Sequence, residues 1–410
     1  MDRKELFEKI DAQTEEMIGF LAEMVAVPAI GPLSGGTGET EKAELIETRL
    51  RKFGLTRIGR HDAADNRVPS GFRPNISVTL KSRSAKRRLV IIAHLDVVPP
   101  GDLSEWNSEP FGLRIEDGKA IGRGVEDNGQ AMTASIFALK TLTDLGIVPD
   151  RDIVLFLVSD EEETNMKGIG HLVREKLITK DDLILVPDHG EPTGTMIELV
   201  EKSLLWMKIE VRGGQCHASM PHLGKNALRA SMMFGSRVDS VLHERFHERD
   251  DSFDHPICSF EPTSRSSSGL GINVIPGEDV FHFDCRLLPT VETDDVISEM
   301  KRIAAEVEEE TGTSIELTTI LREKTLHPTS PDAPIVRMLS NAIRSATGKE
   351  SRTAGIGGGT CAAILRNEGF EVAVWETVMN QAHAPNEYIL IDNLVNDCKV
   401  LAELFTQSGG

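Results

Sequence analysis

The sequence predicts an α/β fold in which a mixed, mostly parallel sheet is flanked by helices and a smaller α+β domain is inserted into the chain. Three short apolar runs, 88–93, 153–158 and 183–186, are rich in β-branched residues, which is typical of strands buried on both faces. Between the first two runs, apolar residues recur at three- and four-residue steps over 131–145 and predict a helix. Strands that alternate with helices indicate parallel pairing, and such sheets bind ligands at the carboxyl ends of their strands.

The pattern changes after about residue 203. Half-buried alternation over 204–211 predicts a strand, and a helix at 227–247 and a polar stretch at 248–268 follow. A strand at 280–286, a helix at 294–310 and a strand at 314–321 complete an order close to β-α-β-β-α-β, which is that of a ferredoxin-like domain. We therefore predict one larger domain formed by 1–202 and 323–410, with an inserted domain at 203–322. The serine-rich segment 264–269 is predicted to be a mobile loop.

Composition excludes several classes of partner. The chain has 410 residues, 65 acidic against 45 basic, and a formal charge of −20, which argues against nucleic acid and anionic membranes. Five scattered cysteines without a CxxC pair suit reduced thiols rather than disulfides. No apolar run approaches the roughly 20 residues of a membrane-spanning helix, and the charged N-terminus does not resemble a signal peptide. We expect a soluble, cytoplasmic protein.

Histidines and carboxylates lie where the predicted strands and their loops end. The set comprises His94, Asp96, Asp127, Glu161, Glu162, Asp188 and His383. Two imidazoles with several carboxylates form the mixed nitrogen and oxygen donor set that two neighbouring divalent ions need. The sequence therefore predicts a two-metal hydrolytic site.

Each motif also has an ordinary structural interpretation. His94 and Asp96 could be a surface pair at a strand end, and Asp127 is placed to cap the helix that follows it. The acidic run 160–163 could be a surface turn, but four adjacent acids repel one another unless a positive group neutralises them. Adjacent glutamates also allow one to bind metal while its neighbour acts as general base. The glycine-rich runs 122–124 and 355–360 do not complete a dinucleotide fingerprint, although exposed amides at a helix N-terminus would suit a substrate carboxylate.

Taken together, the segments around His94, Gly122–Asp127, Asp160–Glu162 and His383 resemble the M20 metallopeptidases, a family that includes desuccinylases, deacetylases, carboxypeptidases and dipeptidases. The resemblance runs from about residue 94 to 387. It implies a zinc-peptidase-like catalytic domain with a dinuclear centre. The metal ligands that it implies are His94, Asp127, Glu162, Asp188 and His383, with Asp127 bridging the two ions. It further implies Glu161 as general base and Asp96 as the carboxylate behind His94.

The resemblance also implies roles for the inserted domain. His217 would reach the active site of the partner subunit and stabilise the oxyanion of the tetrahedral intermediate, so the insert would be a dimerisation or lid domain. The residues implied to grip a substrate carboxylate are Asn273, Arg286, Gly358, Gly359 and Thr360. Arginine suits that role because its planar fork binds a carboxylate bidentately.

Two departures from the family pattern bear on the substrate. Many members have Met-Lys-Gly after the bridging aspartate, where this chain has Asn128-Gly129-Gln130, so it falls in a divergent subgroup. The segment after the third strand offers two acids. Dipeptidase-like members use an aspartate after proline, here Asp188, whereas deacetylase-like members use a glutamate before proline, here Glu191. Asp188 is favoured because it directly follows the strand.

We therefore predict a metal-dependent amide hydrolase that uses a metal-activated water and a glutamate base. Its first expected substrate is a small N-acyl amino acid with a free carboxylate, of the desuccinylase or deacetylase type. The alternative is a dipeptidase or carboxypeptidase. Two divalent ions are expected, zinc first, although cobalt and manganese suit the same donors. A homodimer formed through the insert is also expected. A binding protein without catalysis and a nucleotide-dependent enzyme are the competing classes.

Overall fold

A computed structural model describes residues 3–84, 87–268 and 271–407 of the chain. The chain divides into two compact units. The first comprises Met1–Leu199, His327–Ala354 and Thr360–Gly410, and the second Val200–Leu326 and Gly355–Gly359. The predicted insert, 203–322, falls within the second unit, and its role as a lid or dimerisation domain stays a prediction.

The secondary-structure elements are numbered in chain order. The helices are α1 (Arg3–Asp11), α2 (Thr14–Val25), α3 (Thr40–Lys52), α4 (Ala131–Asp144), α5 (Ile169–Arg174), α6 (Ala227–Arg245), α7 (Thr293–Thr311), α8 (Pro334–Thr347), α9 (Cys361–Asn367) and α10 (Ile391–Thr406). The strands are β1 (Ile58–Arg60), β2 (Ala63–Ala64), β3 (Phe72–Arg73), β4 (Ile76–Leu80), β5 (Leu89–His94), β6 (Arg114–Glu116), β7 (Lys119–Ile121), β8 (Ile153–Val158), β9 (Leu183–Gly190), β10 (Met196–Glu201), β11 (Ser203–Arg212), β12 (Cys216–His217), β13 (Ser259–Ser267), β14 (Val274–Ile275), β15 (Glu278–Leu287), β16 (Ser314–Glu323), β17 (Arg352–Ile356), β18 (Val372–Glu376) and β19 (Tyr388–Leu390). Among the described residues, no helix combines the length and the apolar character needed to cross a membrane.

The main sheet of the first unit has the strand order β1-β4-β8-β5-β9-β18-β10-β17. Strands β8, β5, β9 and β18 pair in parallel, whereas β1 pairs antiparallel to β4, β4 to β8 and β10 to β18. This confirms the predicted mixed sheet, with parallel pairing concentrated in its centre. Its two faces are both covered, because Leu89 and Ile91 of β5 pack with α4 and α10 while Val90 and Ile92 pack with α5 and α9. Burial on both faces explains why β5 reads as an unbroken apolar run.

The second unit contains an antiparallel sheet of order β13-β15-β11-β16. In sequence, its strands and the two helices that pack on it come in the order β11, α6, β13, β15, α7 and β16, with the two-residue strands β12 and β14 between them. That chain order with that sheet order is the ferredoxin-like arrangement that the sequence predicts. Apolar residues of α6 and α7 form a core with alternate residues of β11 and β15.

One predicted element is wrong. The loop expected within the polar stretch 248–268 is instead strand β13, which includes Ser264–Ser267. Strand β13 lies at the edge of its sheet, pairs with β15, and exposes nearly all its side chains. An edge strand with little burial carries no apolar alternation, so sequence periodicity does not reveal it. Gly269, the last residue of the predicted loop, lies outside the described residues.

Candidate metal centre

The first group of candidate ligands lies at the carboxyl edge of the parallel strands. Strand β5 ends at His94, which is 2% exposed, and β9 carries Asp188. The His94 Nε2 atom lies 2.7 Å from Asp127 Oδ1 and 3.2 Å from Asp188 Oδ1. Ligand atoms of these residues all lie within 4.8 Å of one another. Two carboxylates and an imidazole at this spacing match the donor set of one divalent ion.

The second group shares Asp127 with the first. Asp127 presents Oδ1 to His94 and Oδ2 to His383, whose Nε2 lies 3.2 Å from it. Glu162 Oε2 is 3.1 Å from the same His383 nitrogen. Glu162 Oε1 is buried and has no hydrogen-bond partner among the residues that the structure describes. A buried carboxylate oxygen without a donor beside a histidine fits a site built to hold a cation, with Asp127 positioned between two such sites.

The electrostatics of the cluster reflect its concentrated negative charge. Burial would lower the pKa of His94, but the Asp127 charge and hydrogen bonds to Asp127 and Asp188 hold it well above its ordinary value. Hydrogen bonds to Asp127 and Glu162 raise the pKa of His383 to about 10. Burial, followed by the Asp127 charge, raises the pKa of Glu162 to about 7. Burial would also raise the pKa of Asp127, but the two imidazoles outweigh it and hold that pKa below its usual range. The charged imidazoles thus stabilise the ionised carboxylates of this cluster. Bound cations would stabilise the same carboxylates in the same way.

Asp96 positions the acidic turn that follows β8. Its carboxylate accepts the backbone N–H of Glu161 at 3.1 Å and of Glu162 at 3.0 Å. The nearest contact of His94 Nδ1 is the Asp96 backbone oxygen at 3.0 Å, whereas the carboxylate lies 3.6 Å away. The carbonyl of Asp96 therefore orients the imidazole, and its carboxylate orients the two glutamates.

Glu161 lies outside both groups of candidate ligands. Burial and then the charge of Asp188 raise its pKa well above the ordinary glutamate value. Its Oε1 receives a long hydrogen bond of 3.4 Å from Asn165. A carboxylate with a raised pKa beside a candidate metal centre suits the uptake of a proton.

Asn128 gives a structural role to one departure from the family pattern. Its side-chain amide donates to the Pro187 carbonyl and to Asp188 Oδ1, both at 2.8 Å. Its Oδ1 accepts the backbone N–H of His94 at 3.3 Å. Asn128 thereby ties the Asp127 loop to the ends of two neighbouring strands and orients Asp188. The sequence marked the position as atypical but gave no role for it.

Glu191, the alternative acid, lies in a separate network. Arg352 donates to its Oε2 at 2.5 Å, and the hydroxyls of Thr193 and Thr195 donate to its Oε1 at 2.5 and 2.6 Å. Burial would raise the pKa of Glu191, but these donors outweigh it and lower that pKa to about 2. Its carboxylate is therefore already neutralised within the protein.

The positive group that the four-acid run requires is Arg73, which the sequence did not single out. Its guanidinium is fully buried and forms a two-pronged pair with Glu39. It also lies 3.4 Å from Asp160 Oδ1 and 3.7 Å from Glu163 Oε2. The two outer acids of the run, Asp160 and Glu163, thus lie near Arg73. The inner pair, Glu161 and Glu162, lies at the candidate metal centre.

Two further buried acids join the loops that carry Asp127 and His383. Glu126 accepts backbone N–H groups of Met379 and Gln381 at 2.5 Å and of Ala382 at 3.0 Å. Glu387 accepts backbone N–H groups from Gly124, Glu126 and Asp127 at 2.8–3.1 Å, and it pairs with Arg123 at 2.6 Å. These reciprocal bonds fix the two loops against each other. No sequence pattern reveals them, because each pairs groups more than 250 positions apart.

A cavity of about 240 Å³ lies beside the candidate ligands. Asp127 and Asp188 line it, together with Glu126, His189 and Asn380. A space of this size accommodates a small molecule rather than a folded protein.

The remaining predicted site residues divide between the two units. In the second unit, His217 Nε2 lies 3.3 Å from Asn273 Nδ2, and both side chains are exposed. Arg286 donates to the Asp284 carboxylate at 2.7 and 2.9 Å and to the Gly357 carbonyl at 3.0 Å, next to Gly358 and Gly359. In the first unit, Thr360 caps α9 by accepting the Ala362 N–H at 3.1 Å. The structure therefore brings together the five predicted ligands with Glu161 in one unit, and His217 with Asn273 in the other.

A mixed α/β fold with a histidine and carboxylate cluster at the carboxyl edge of its parallel strands defines a metallohydrolase. The profile of peptidase family M20/M25/M40 matches residues 90–407, and the chain belongs to this family. Members of this family act on amide bonds.

The similarity to individual proteins supports the family assignment. An uncharacterised metallohydrolase of Methanocaldococcus jannaschii is 35% identical over 95% of this chain and 98% of its own length. A succinyl-diaminopimelate desuccinylase of Alkalilimnicola ehrlichii is 30% identical over 50% of this chain and 54% of its own length. Human carnosine dipeptidase 1 has the same fold, with a TM-score of 0.80 at 20% identity over 99% of this chain and 98% of its own.

Proposed function

We propose that this chain is a dinuclear metal-dependent hydrolase that cleaves an amide bond in a small substrate with a free carboxylate. The observation that carries this proposal is the position of Asp127, whose two oxygens face His94 and His383 separately. One ion would be held by His94, Asp127 and Asp188, and the other by Asp127, Glu162 and His383. Zinc is the first expectation, with cobalt and manganese as alternatives.

The chemistry follows from the residues around the ions. When bound, the ions supply Lewis acidity towards a water molecule and the scissile carbonyl. Glu161 would take a proton from the attacking water on its carboxylate and pass it to the leaving nitrogen, so that one amide and one water give one acid and one amine. Asp96 holds Glu161 in place through its backbone N–H. The raised pKa of Glu161 favours its uptake of the proton.

Residues of the second unit would complete the substrate site. We infer that His217, contributed by the partner subunit of a homodimer, stabilises the oxyanion, and that Asn273 and Arg286 bind the substrate carboxylate with the loop that contains Gly358, Gly359 and Thr360. The pair of His217 and Asn273 supports a shared role, because their ring and amide nitrogens lie 3.3 Å apart. Arg286 donates from Nε and Nη2 to Asp284 and from Nη1 to the Gly357 carbonyl, so each Nη atom keeps one further N–H for a substrate carboxylate.

Asp188 favours a dipeptide as the first substrate class. It adjoins His94, whereas Glu191 is occupied by Arg352 and two threonines. An aspartate ligand at this position is the dipeptidase-like pattern, and it places dipeptides ahead of the N-acyl amino acids that the sequence ranks first. An N-acyl amino acid remains the second candidate, supported by the similarity of half the chain to a succinyl-diaminopimelate desuccinylase.

Elemental analysis of bound metal tests the proposed centre. Wild-type protein should hold close to two ions per chain, Asp188→Asn should lose about one, and Glu191→Gln should lose none. The two substitutions are matched, because each replaces a carboxylate by its amide. A loss confined to Glu191→Gln would contradict the ligand assignment, and absence of metal from all three proteins after metal loading would contradict the hydrolase itself.

A substrate panel separates the two classes. Dipeptides, succinyl-diaminopimelate and acetylornithine should be assayed at equal concentration with zinc, cobalt or manganese. We expect the highest kcat/KM on a dipeptide. A higher value on either N-acyl amino acid would reverse the order of the candidates while leaving the reaction type intact.

A further inference from the structure

A second cavity of the first unit, of about 330 Å³, lies at the opposite edge of the main sheet from the candidate metal centre. Arg87 lies two residues before β5, Arg151 lies two residues before β8, and Leu183 begins β9. These strands are parallel neighbours, so their amino ends meet at one edge. Arg337 and Met338 of α8 and Gln407 also line the cavity.

The most telling residue in this cavity is Arg151, which is 5% exposed. Its guanidinium contacts a neutral sulfur, since Nη1 lies 3.5 Å from Met338 Sδ. Its Nε is buried and has no hydrogen-bond partner in the described part of the chain. Burial lowers the pKa of Arg151; the charge of Asp150 opposes this, and the smaller effect of the Arg87 charge adds to it. A buried cation without a bonded carboxylate is costly, and an anionic ligand would remove that cost.

The other guanidiniums also leave donors for a ligand. The side chain of Arg337 is exposed, and it makes no hydrogen bond or ion pair among the described residues. Arg87 donates its Nε to the Asp181 carbonyl, which is a neutral acceptor. No carboxylate lines this cavity within the described residues, although the chain carries a formal charge of −20. The described lining of this cavity therefore holds three arginines and no carboxylate, although acidic residues outnumber basic ones in the whole chain.

We propose that this cavity is a binding site for a small anion that carries a phosphate group. A guanidinium presents several N–H donors in a planar fork that matches phosphate oxygens, and arginine is the usual choice for such recognition. The cavity volume lies at the lower end of the range for small-molecule sites. This site is separate from the metal centre, and its existence does not depend on the proposed hydrolytic function.

Calorimetric titration of the metal-loaded enzyme with inorganic phosphate, at fixed ionic strength, tests the proposal. Because charge-assisted hydrogen bonds are the stronger kind, Arg337→Gln should weaken binding by about tenfold. Arg57→Gln is the matched control, because Arg57 is exposed and does not line the cavity, and it should leave the affinity unchanged. Phosphate bound at the metal centre would contribute equally to all the proteins, so the difference between the variants isolates the cavity.

Arg151→Gln provides a second, buried variant and should weaken phosphate binding further. If it does not fold, Arg337→Gln still decides the question. Equal affinity of Arg337→Gln and wild type, or an equal loss in Arg57→Gln, would overturn the site. Tricarballylate that binds as tightly as phosphate, and is equally sensitive to Arg337→Gln, would overturn the assignment to phosphate.

Discussion

Glu126 and Glu387 each accept backbone hydrogen bonds from the loop that carries the other. Glu126 holds the 379–382 segment that leads to His383, and Glu387 holds Gly124, Glu126 and Asp127. Both carboxylates are buried, at 2% and 1% exposure. The two loops that supply Asp127 and His383 are therefore fixed by side chains that are not candidate ligands themselves.

Glu126→Gln should weaken metal binding without unfolding the protein. The amide places an N–H₂ group against backbone N–H groups, which releases the loop that carries His383. Loss of hydrogen bonds that position a metal ligand typically costs about 10- to 100-fold in metal affinity. Chelator competition measures the affinity, and the visible absorption of the cobalt-loaded protein reports the geometry at the ion. Glu15→Gln, at an exposed position of α2, is the control. An unchanged affinity together with an unchanged cobalt spectrum would contradict a positioning role for Glu126.

Glu161→Gln should retain both ions while losing nearly all turnover. Glu161 lies outside both ligand groups, so its removal spares the metal, and loss of a general base costs about 10²- to 10⁴-fold in rate. The measurements are kcat with the preferred substrate and metal per chain by elemental analysis. If the variant keeps more than a few percent of the wild-type rate, the base is a different group.

Arg73→Met should destabilise the first unit strongly. The substitution leaves Glu39, Asp160 and Glu163 near one another without their buried cation, and breaking a buried charge pair typically costs about 3–5 kcal/mol. Urea unfolding of the metal-loaded protein measures this loss. Arg67→Met is the comparison, because Arg67 pairs with Asp65 at a more exposed position, and it should cost about 1 kcal/mol or less. Similar losses in the two variants would show that the Arg73 cluster adds no special stability.

Glu191 should contribute stability that disappears in acid. Its pKa is about 2 in the folded chain against an ordinary value of 4.5, so its contribution is fully present above about pH 4.5 and is lost as the pH falls towards 2. At pH 7 we expect Glu191→Gln to lower the free energy of unfolding by about 1–3 kcal/mol, since it removes charged hydrogen bonds. Measured by urea unfolding of wild type and variant, that difference should shrink between pH 4.5 and 2.5. A difference that stays constant over this range would place the effect in packing rather than charge.

The sheet and the candidate ligands could be predicted from the sequence for a specific reason. Strands β5, β8 and β9 are buried on both faces, so their apolar runs are continuous, and His94, Glu161 and Asp188 stand out as polar residues at or just beyond those runs. Strand β13 was missed because an exposed edge strand needs no apolar residues. Arg73, Glu126, Glu387 and Asn128 were missed because they act through partners far away in the chain.

By itself, the sequence determined the fold class and the family, since strand burial and local motifs leave a direct trace in residue order, and it gave the metal ligands as a prediction. Only the tertiary structure decided that Asp127 faces both histidines and that Asp188, rather than Glu191, adjoins His94. It also decided that the Arg73 guanidinium lies beside the outer acids of the 160–163 run. These are distances between side chains on separate strands and loops. They are set by how the sheet brings those segments together, which residue order along one strand does not encode.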